Sequence, residues 1–319
     1  MFKILIVKLG AIGDAIMAST IVPEARRIHP NAHITWLCGT EIVDLVNTFK
    51  GVDDVVSIDN RGLAGGKLDK AKTVLSAWQK LKGERFDLII TAHSDSRYLL
   101  LTKFVSANER RSFGGRALIP GRYHATEYAR LVSGMDDSIE MEFPFAESNI
   151  VATPSDMILL APGGAKNIMM SSSLRRWNIE YYVALAKMLI DKGFNVGLVG
   201  SNGDLWAQEA FYGLNVTSFI GKTTIPELMA LIGGAKAVVS HDSGTMHIAY
   251  YMGRPLVSIF GATSPNSFTP KNVSYLSAQL PCSPCYDGKN YAACSDNICM
   301  QRVTPEMVIE RLSQIIDLY

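Results

Sequence analysis

The sequence predicts an α/β chain made of two doubly wound, Rossmann-like domains, residues 1–150 and 151–319. Three observations lead there. Apolar strand-like runs alternate evenly with helix-like segments from one end to the other. A chain of 319 residues exceeds the usual size of one core, so two domains of roughly 150 residues, with a cleft between them, are expected. The prolines and small polar residues between Phe143 and Asp156 mark the joint.

In order along the first half, the pattern predicts strand Phe2–Val7, helix Asp14–His29, strand His33–Leu37, helix Glu41–Asn47, strand Val55–Ile58, helix Lys67–Leu81 and strand Asp87–Thr91. The apolar start resembles a signal peptide, but Lys8 and Asp14 interrupt it too early, so it is taken as the first strand. Beyond Arg97 the pattern loosens, and Arg110, Arg111, Arg116 and Arg122 among glycines suggest surface. The second half restarts with strand Met157–Ala161, helix Ile179–Lys192, strand Asn195–Val199, helix Leu205–Gly213, strand Val216–Phe219 and helix Ile225–Ile232. A βαβ unit follows: a strand from Ala237, a polar turn, a helix to Met252, a break at Gly253-Arg254-Pro255 and strand Leu256–Phe260. A last helix spans Pro305–Leu318, with Met307, Val308, Leu312, Ile315 and Ile316 at helical spacing.

Hydrophobic residues make up 48% and charged residues 19%, enough for packed interiors and no case for disorder. The net charge of +1 argues against a nucleic-acid partner. No run approaches the roughly 18 apolar residues that span a bilayer, so a cytoplasmic protein, at most peripheral to the inner membrane, is expected.

The turn Asp242-Ser243-Gly244-Thr245-Met246-His247 is the strongest chemical signal. With Ser243 or Asp242 capping the helix, the Gly244, Thr245 and Met246 amides have no partner in the first turn and suit a diphosphate. A second polyanion candidate runs from Ala161-Pro162-Gly163-Gly164 to Ser171, Arg175 and Arg176, with Trp177 a core anchor. Gly200 opens a strand-end turn suited to a nucleotide's sugar or base, and Lys222, outside any Walker motif, is a candidate for reaching an anion across the cleft. Thr224 and Glu227 match a capping box.

The first turn, Lys8-Leu9-Gly10-Ala11-Ile12-Gly13-Asp14, lacks GxGxxG, although its glycines allow a ligand close to the backbone. Asp14 is either a helix cap or a general base toward a substrate hydroxyl; local sequence favours the cap. Cys282, Cys285, Cys294 and Cys299 form C-x2-C-x8-C-x4-C, a spacing that suits a structural Zn or Fe site. Reduced thiols or a disulfide are the alternatives, the latter disfavoured in the cytoplasm.

Taken together, the Lys8–Asp14 turn, Arg175-x-Trp177, the Asp242–His247 turn and Gly253-Arg254-Pro255 with Phe260-Gly261-Ala262-Thr263-Ser264-Pro265 resemble glycosyltransferase family 9, the ADP-heptose heptosyltransferases. The resemblance implies a GT-B fold, two facing Rossmann domains with the acceptor on the N-terminal side and an ADP-sugar on the C-terminal side, and inversion at the anomeric carbon. It implies that Asp14 is the catalytic base, reversing the local preference. Arg175, where the family has lysine, would offset charge on the departing diphosphate, with Gly244, Thr245 and His247 lining the phosphates. Asn178 stands where proline often follows the tryptophan. No cofactor is implied for catalysis. His93-Ser94-Asp95-Ser96-Arg97 falls where relatives contact the acceptor, so Arg97 becomes a candidate for the phosphates or carboxylates of a lipopolysaccharide inner core. The cysteine loop also resembles the iron finger of autotransporter heptosyltransferases, but the chain has no room for their additional N-terminal domain, so a glycolipid acceptor is expected. A GT-B sugar-nucleotide epimerase and a non-catalytic sugar-nucleotide-binding subunit are the other readings.

Overall fold

The structure is a computed structural model that describes residues 1–114, 118, 121–134, 142–165, 173–288 and 290–318. Its internal contacts divide the chain into two units, Met1–Asn149 and Ile150–Tyr319.

The first unit carries five parallel strands: β1 (Lys3–Val7), β2 (His33–Gly39), β3 (Asp54–Ile58), β4 (Arg85–Thr91) and β5 (Ser106–Ser112), in the spatial order β3-β2-β1-β4-β5. Central β1 reads Ile4-Leu5-Ile6-Val7 without alternation because both its faces are covered, and all four side chains are buried. The helices are α1 (Ile12–Ala18), α2 (Ile21–Ile28), the single turn α3 (Val43–Val46), α4 (Lys67–Lys80) and α5 (His124–Ser133). α4 packs Ala77, with Leu81 just beyond it, against Leu5, Val7 and Ile89.

The second unit carries six parallel strands: β6 (Ile158–Ala161), β7 (Val196–Leu198), β8 (Val216–Ser218), β9 (Ala237–His241), β10 (Leu256–Phe260) and β11 (Ser274–Ser277), in the order β11-β10-β9-β6-β7-β8. Its helices are α6 (Ile179–Asp191), α7 (Ile225–Gly234), α8 (Gly244–Tyr251), the short α9 (Pro265–Phe268) and α10 (Ile298–Gln301), and α11 (Pro305–Ser313). Trp177, Tyr182, Leu185 and Leu189 meet Val308 and Leu312 in one buried cluster. Trp177 is the expected anchor, its indole Nε1–H donating to the Val303 carbonyl at 2.7 Å. The Thr224–Glu227 capping box also forms, with the glutamate accepting from the Thr224 N–H at 2.7 Å.

Several expectations are corrected. The helix expected over Asp14–His29 is two helices, α1 and α2, with Pro23 in the first turn of the second, where no N–H is needed. The Thr20 hydroxyl, at that junction, sits 2.9 Å from both the Met17 and Ala125 carbonyls. Beyond Arg97, β5 and α5 replace the expected irregular surface. β5 is an edge strand whose charges, Arg110 and Arg111 among them, guard an open ladder. α5 buries Tyr128, Ala129 and Val132, and its polar Glu127 and Arg130 are buried as an ion pair at 3.3 Å. Residues 202–211 wind as a 3-10 helix, Glu41–Asn47 combines a 3-10 turn with α3, β11 was not expected, and α11 ends at Ser313.

In both sheets the first strand lies between a strand reached by continuing outward and one reached by crossing back: β1 between β2 and β4, β6 between β7 and β9. The crevice at the carboxyl ends of such strands is where open α/β sheets take ligands. Asp14 stands in the first turn of α1, just past the end of β1, and the turns after β6 and β9 contain Gly163 and Ser243.

Candidate active site

In the first unit the segment after β1 brings Lys8 and Asp14 together with Tyr128, a side chain from more than a hundred residues away. Lys8 is 4% exposed at the end of the strand. Its Nζ donates to the Tyr128 hydroxyl at 2.9 Å, and that hydroxyl donates to Asp14 Oδ1 at 3.0 Å. Lys8 Nζ is itself 3.6 Å from Asp14 Oδ1. Burial pulls the Lys8 ammonium below its ordinary pKa, against the opposing pull of Asp14. The other carboxylate oxygen, Oδ2, accepts from the Ala11 N–H at 3.3 Å. One oxygen of Asp14 therefore reaches back to the helix start, as the cap reading expects, while the other belongs to a polar triad. Its side chain stays 37% exposed. Gly13 is buried behind it in α1.

From the neighbouring β4 turn, His93 Nε2 accepts from the Leu9 N–H at 3.0 Å, and its ring stacks on Tyr98 at 3.6 Å. Burial first, then the charge of Lys8, keeps this imidazole well below its ordinary pKa, so it is neutral with its proton on Nδ1. Arg97 is turned to Asp95, Nη2 to Oδ2 at 2.5 Å, and both are partly exposed.

In the second unit, Asp242 is 3% exposed and organises the turn after β9. It accepts from the Thr263 hydroxyl at 2.7 Å and lies 3.4 Å from Arg175 Nη1, which also donates to the Asp242 carbonyl at 3.3 Å. His247 Nε2 stands 3.9 Å from the same carboxylate, and its Nδ1 is 2.7 Å from the Tyr250 hydroxyl. Burial opposes the charge of Arg175, but Asp242, together with Tyr291 and Tyr286, outweighs that, and the guanidinium stays above its ordinary pKa. Arg175 Nε is buried with no hydrogen-bond partner among the described residues.

The expected cap does not form. Ser243 occupies the cap position of α8 without a side-chain bond to the helix. Its hydroxyl is instead 2.9 Å from the Ser240 hydroxyl, while Asp242 is held by Thr263 and Arg175. The Gly244, Thr245 and Met246 amides consequently have no hydrogen-bond partner among the described residues.

Facing that turn is the loop after β6. Gly164 adopts φ +89°, and a Cβ there would sit 3.1 Å from Ser243 Cβ; a Cβ on Gly163 would fall 2.3 Å from the Asp204 carboxyl carbon. Only glycine permits both approaches. Asp204 accepts from the Gly164 N–H at 2.7 Å and from the Ser201 N–H at 2.8 Å, latching the loop to the Gly200 turn. Arg176 donates through Nε and Nη2 to the Gly164 carbonyl, both at 3.0 Å, so it is a fastener for the loop and not a solvated charge. Lys222 Nζ donates to the Ser218 carbonyl at 2.9 Å, within its own segment. Ser171 and Arg116 lie outside the described residues.

Behind the turn, the Tyr182 hydroxyl is 3.1 Å from His241 Nδ1 and accepts from the His241 N–H at 3.2 Å. Burial, reinforced by Arg175, pushes the His241 imidazole from 6.5 down to about 4. The native state thus refuses a proton that the unfolded chain accepts below pH 6.5. Stability should fall as pH drops from about 6.5 to about 4, by about 3 kcal/mol from this group. Urea titrations across that range should show a shallower slope for His241→Gln than for the unsubstituted protein; equal slopes would refute the assignment.

The four clustered cysteines are free thiols: Cys282 and Cys294 are exposed, Cys285 half-buried and Cys299 buried. Cys299 packs where a Cβ on Gly261 would come within 2.7 Å of its Sγ, while Cys294 Sγ accepts from the Asn297 N–H at 3.3 Å. Among the described residues no three His, Cys, Asp or Glu side chains are gathered to hold a metal. The thiolate spacing suits zinc or iron, but this arrangement of the loop does not present it as a ligand set.

Sequence reasoning gave Tyr128 no role, for it lies 114 residues from its partner and carries no local signal. Lys8, His93 and Thr263 stood inside quoted motifs without assigned contacts. A lysine ending an otherwise apolar strand was the available clue to a buried ion pair. No described helix is long and apolar enough to cross a membrane.

Comparison with known proteins adds the following. The model of glycosyltransferase family 9 (heptosyltransferase) matches residues 74–294. The chain is similar to the lipopolysaccharide core heptosyltransferase OpsX of Haemophilus influenzae, 26% identical over 289 aligned residues covering 84% of this chain and 81% of that protein. It is also similar to lipooligosaccharide heptosyltransferase 2 of Haemophilus ducreyi, 24% identical with 98% of this chain and 99% of the relative covered. The solved structure of Escherichia coli ADP-heptose lipopolysaccharide heptosyltransferase II superimposes with a TM-score of 0.76 at 20% identity, covering 98% of each chain. That likeness puts the two parallel-sheet units in the GT-B fold class.

Proposed function

The chain belongs to glycosyltransferase family 9 and is a glycosyltransferase; from that premise we propose that it is an inverting heptosyltransferase, moving a heptose from ADP-heptose to a hydroxyl of a lipopolysaccharide core acceptor. The observation that carries the reading is the pairing of partnerless Gly244, Thr245 and Met246 amides with the buried Asp242–Arg175 contact. Backbone donors and a guanidinium together form a site for a diphosphate. The names of the relatives supply the sugar and the acceptor class.

On this reading Asp14 takes the proton from the acceptor hydroxyl as its oxygen attacks the anomeric carbon. The bond from that carbon to the diphosphate breaks, the electron pair leaves with ADP, and the configuration inverts. Arg175 and the α8 amides stabilise the charge gathering on the departing diphosphate, with the unpartnered Arg175 Nε as a spare donor. Ser243, Thr245 and His247 shape the phosphate turn. Gly200 leaves room for the Asp204 latch beside the nucleoside, and Lys222 would have to exchange its Ser218 bond for the nucleotide. Gly13 lies buried next to Asp14 at the start of α1, on the acceptor side of this reading, and Arg97 would exchange Asp95 for an acidic group of the acceptor. The reading puts the reaction in the cytoplasm, where a water-soluble ADP-sugar would meet the enzyme.

Incubation with ADP-heptose and a heptose-deficient lipopolysaccharide core should release ADP and give a heptosylated product whose new anomeric centre, read by NMR, is inverted relative to the donor. Retained configuration would refute the single-displacement mechanism. Calorimetric binding of UDP-sugars in preference to ADP-heptose, without transfer, would refute the assignment of donor.

A further inference from the structure

α4 presents an outward stripe that the described residues leave largely uncovered. Leu68 is 78% exposed and Leu75 is 49% exposed, and the two lie seven residues apart, on the same side of the helix as Lys72. The stripe continues onto the segment after β4. There the Trp78 indole donates to the Leu100 carbonyl at 2.8 Å, and its ring meets Phe104 edge-on at 4.4 Å. Phe104 is 69% exposed and Leu100 46%. Large apolar side chains exposed in one continuous patch signal a docking surface, unlike scattered single ones.

The charge around the patch identifies what it docks against. α4 holds four lysines and a single acid, Asp69; Lys80 is turned away to the Ser57 carbonyl at 2.6 Å, whereas Lys72 lies on the stripe itself. That acid is turned back to the Gly66 N–H at 3.2 Å, at the helix start. Lys103 adds a cation beside Phe104, its Nζ 5.6 Å from the ring centroid. The whole chain carries only +1, so this basic fringe is a local concentration and not a reflection of overall charge. A second copy docking through the same face would set lysines against lysines. A sheet of anionic head groups over hydrocarbon meets both requirements at once: apolar side chains enter the acyl boundary while the lysines remain among the phosphates.

We propose that the α4 stripe with the Leu100–Phe104 segment is a membrane-docking surface for an anionic phospholipid bilayer. It requires no particular donor or acceptor, so it can fail without affecting the proposed reaction, and the converse also holds.

The test is flotation of the full chain with vesicles of phosphatidylcholine alone or containing phosphatidylglycerol. Binding should occur with the anionic vesicles, weaken as salt rises, and be poor with the zwitterionic ones. Lys72→Gln with Lys103→Gln should weaken it about 30-fold, and Leu75→Ser or Phe104→Ser by roughly tenfold each. ADP affinity by calorimetry should be unchanged in all of them, which certifies their folding. Equal flotation with both vesicle types, or variants that float like the unsubstituted chain, would overturn the proposal. So would a loss of self-association by light scattering in these variants with lipid binding intact.

Discussion

Asp14→Asn is expected to lower heptosyl transfer by about 10²–10⁴-fold, the usual weight of a positioned general base, with ADP affinity nearly unchanged. Asparagine matches the size of aspartate and retains an oxygen for the Tyr128 hydroxyl, now at 3.0 Å from Oδ1. What it cannot do is take a proton. The substitution also removes the anion that opposes the desolvation of Lys8, so the buried amine, 4% exposed, should be driven further toward its neutral form. That side effect concerns stability, and urea unfolding of the variant separates it from catalysis. A variant that folds, binds ADP and still turns over within a few-fold of the unsubstituted enzyme would remove Asp14 from the reaction.

Arg175→Ala should be costly twice over. Transfer should fall by about 10²–10³-fold through loss of a donor to the leaving diphosphate. Stability should fall by about 3–5 kcal/mol, because Asp242, at 3% exposure, loses its guanidinium partner. The Thr263 hydroxyl at 2.7 Å remains and limits the damage. Arg175→Lys distinguishes the two effects. Lysine restores a cation near Asp242 and should recover most of the stability, yet as a single point charge it cannot donate to both Asp242 and a phosphate in the same geometry. Turnover should therefore recover less than stability does. Measured by denaturation and initial rates, parallel recovery of both would show that Arg175 acts only through the fold.

What the sequence made legible follows from how local each determinant is. Buried parallel strands read as unbroken apolar runs, and Leu256–Phe260 was placed to the residue. The turn after β9 was legible as a strand end, a polar turn and a helix start because those three are contiguous in the chain. Its cap was not, because Ser243 and Asp242 are drawn away by Ser240, Thr263 and Arg175, partners supplied by the folded sheet. β5 and α5 escaped notice for a related reason. An edge strand needs charges, and α5 hides Glu127 and Arg130 by pairing them with each other. Pro23 did carry a local signal, the break between α1 and α2, which the helical periodicity around it masked. Asp14 shows the limit most clearly. Local spacing gives the reach back to Ala11, but the hydroxyl of Tyr128 comes from a helix 114 residues away.

Asp204 clamps the segment after β6 to the one after β7, through Gly164 on one side and Ser201 on the other. The two segments are consequently tied to each other through one carboxylate. On the proposed reading, a nucleoside seated on the Ser201 segment would bear, through that carboxylate, on the Gly163-Gly164 segment beside Ser243, linking the fit of the base to the grip on the phosphates.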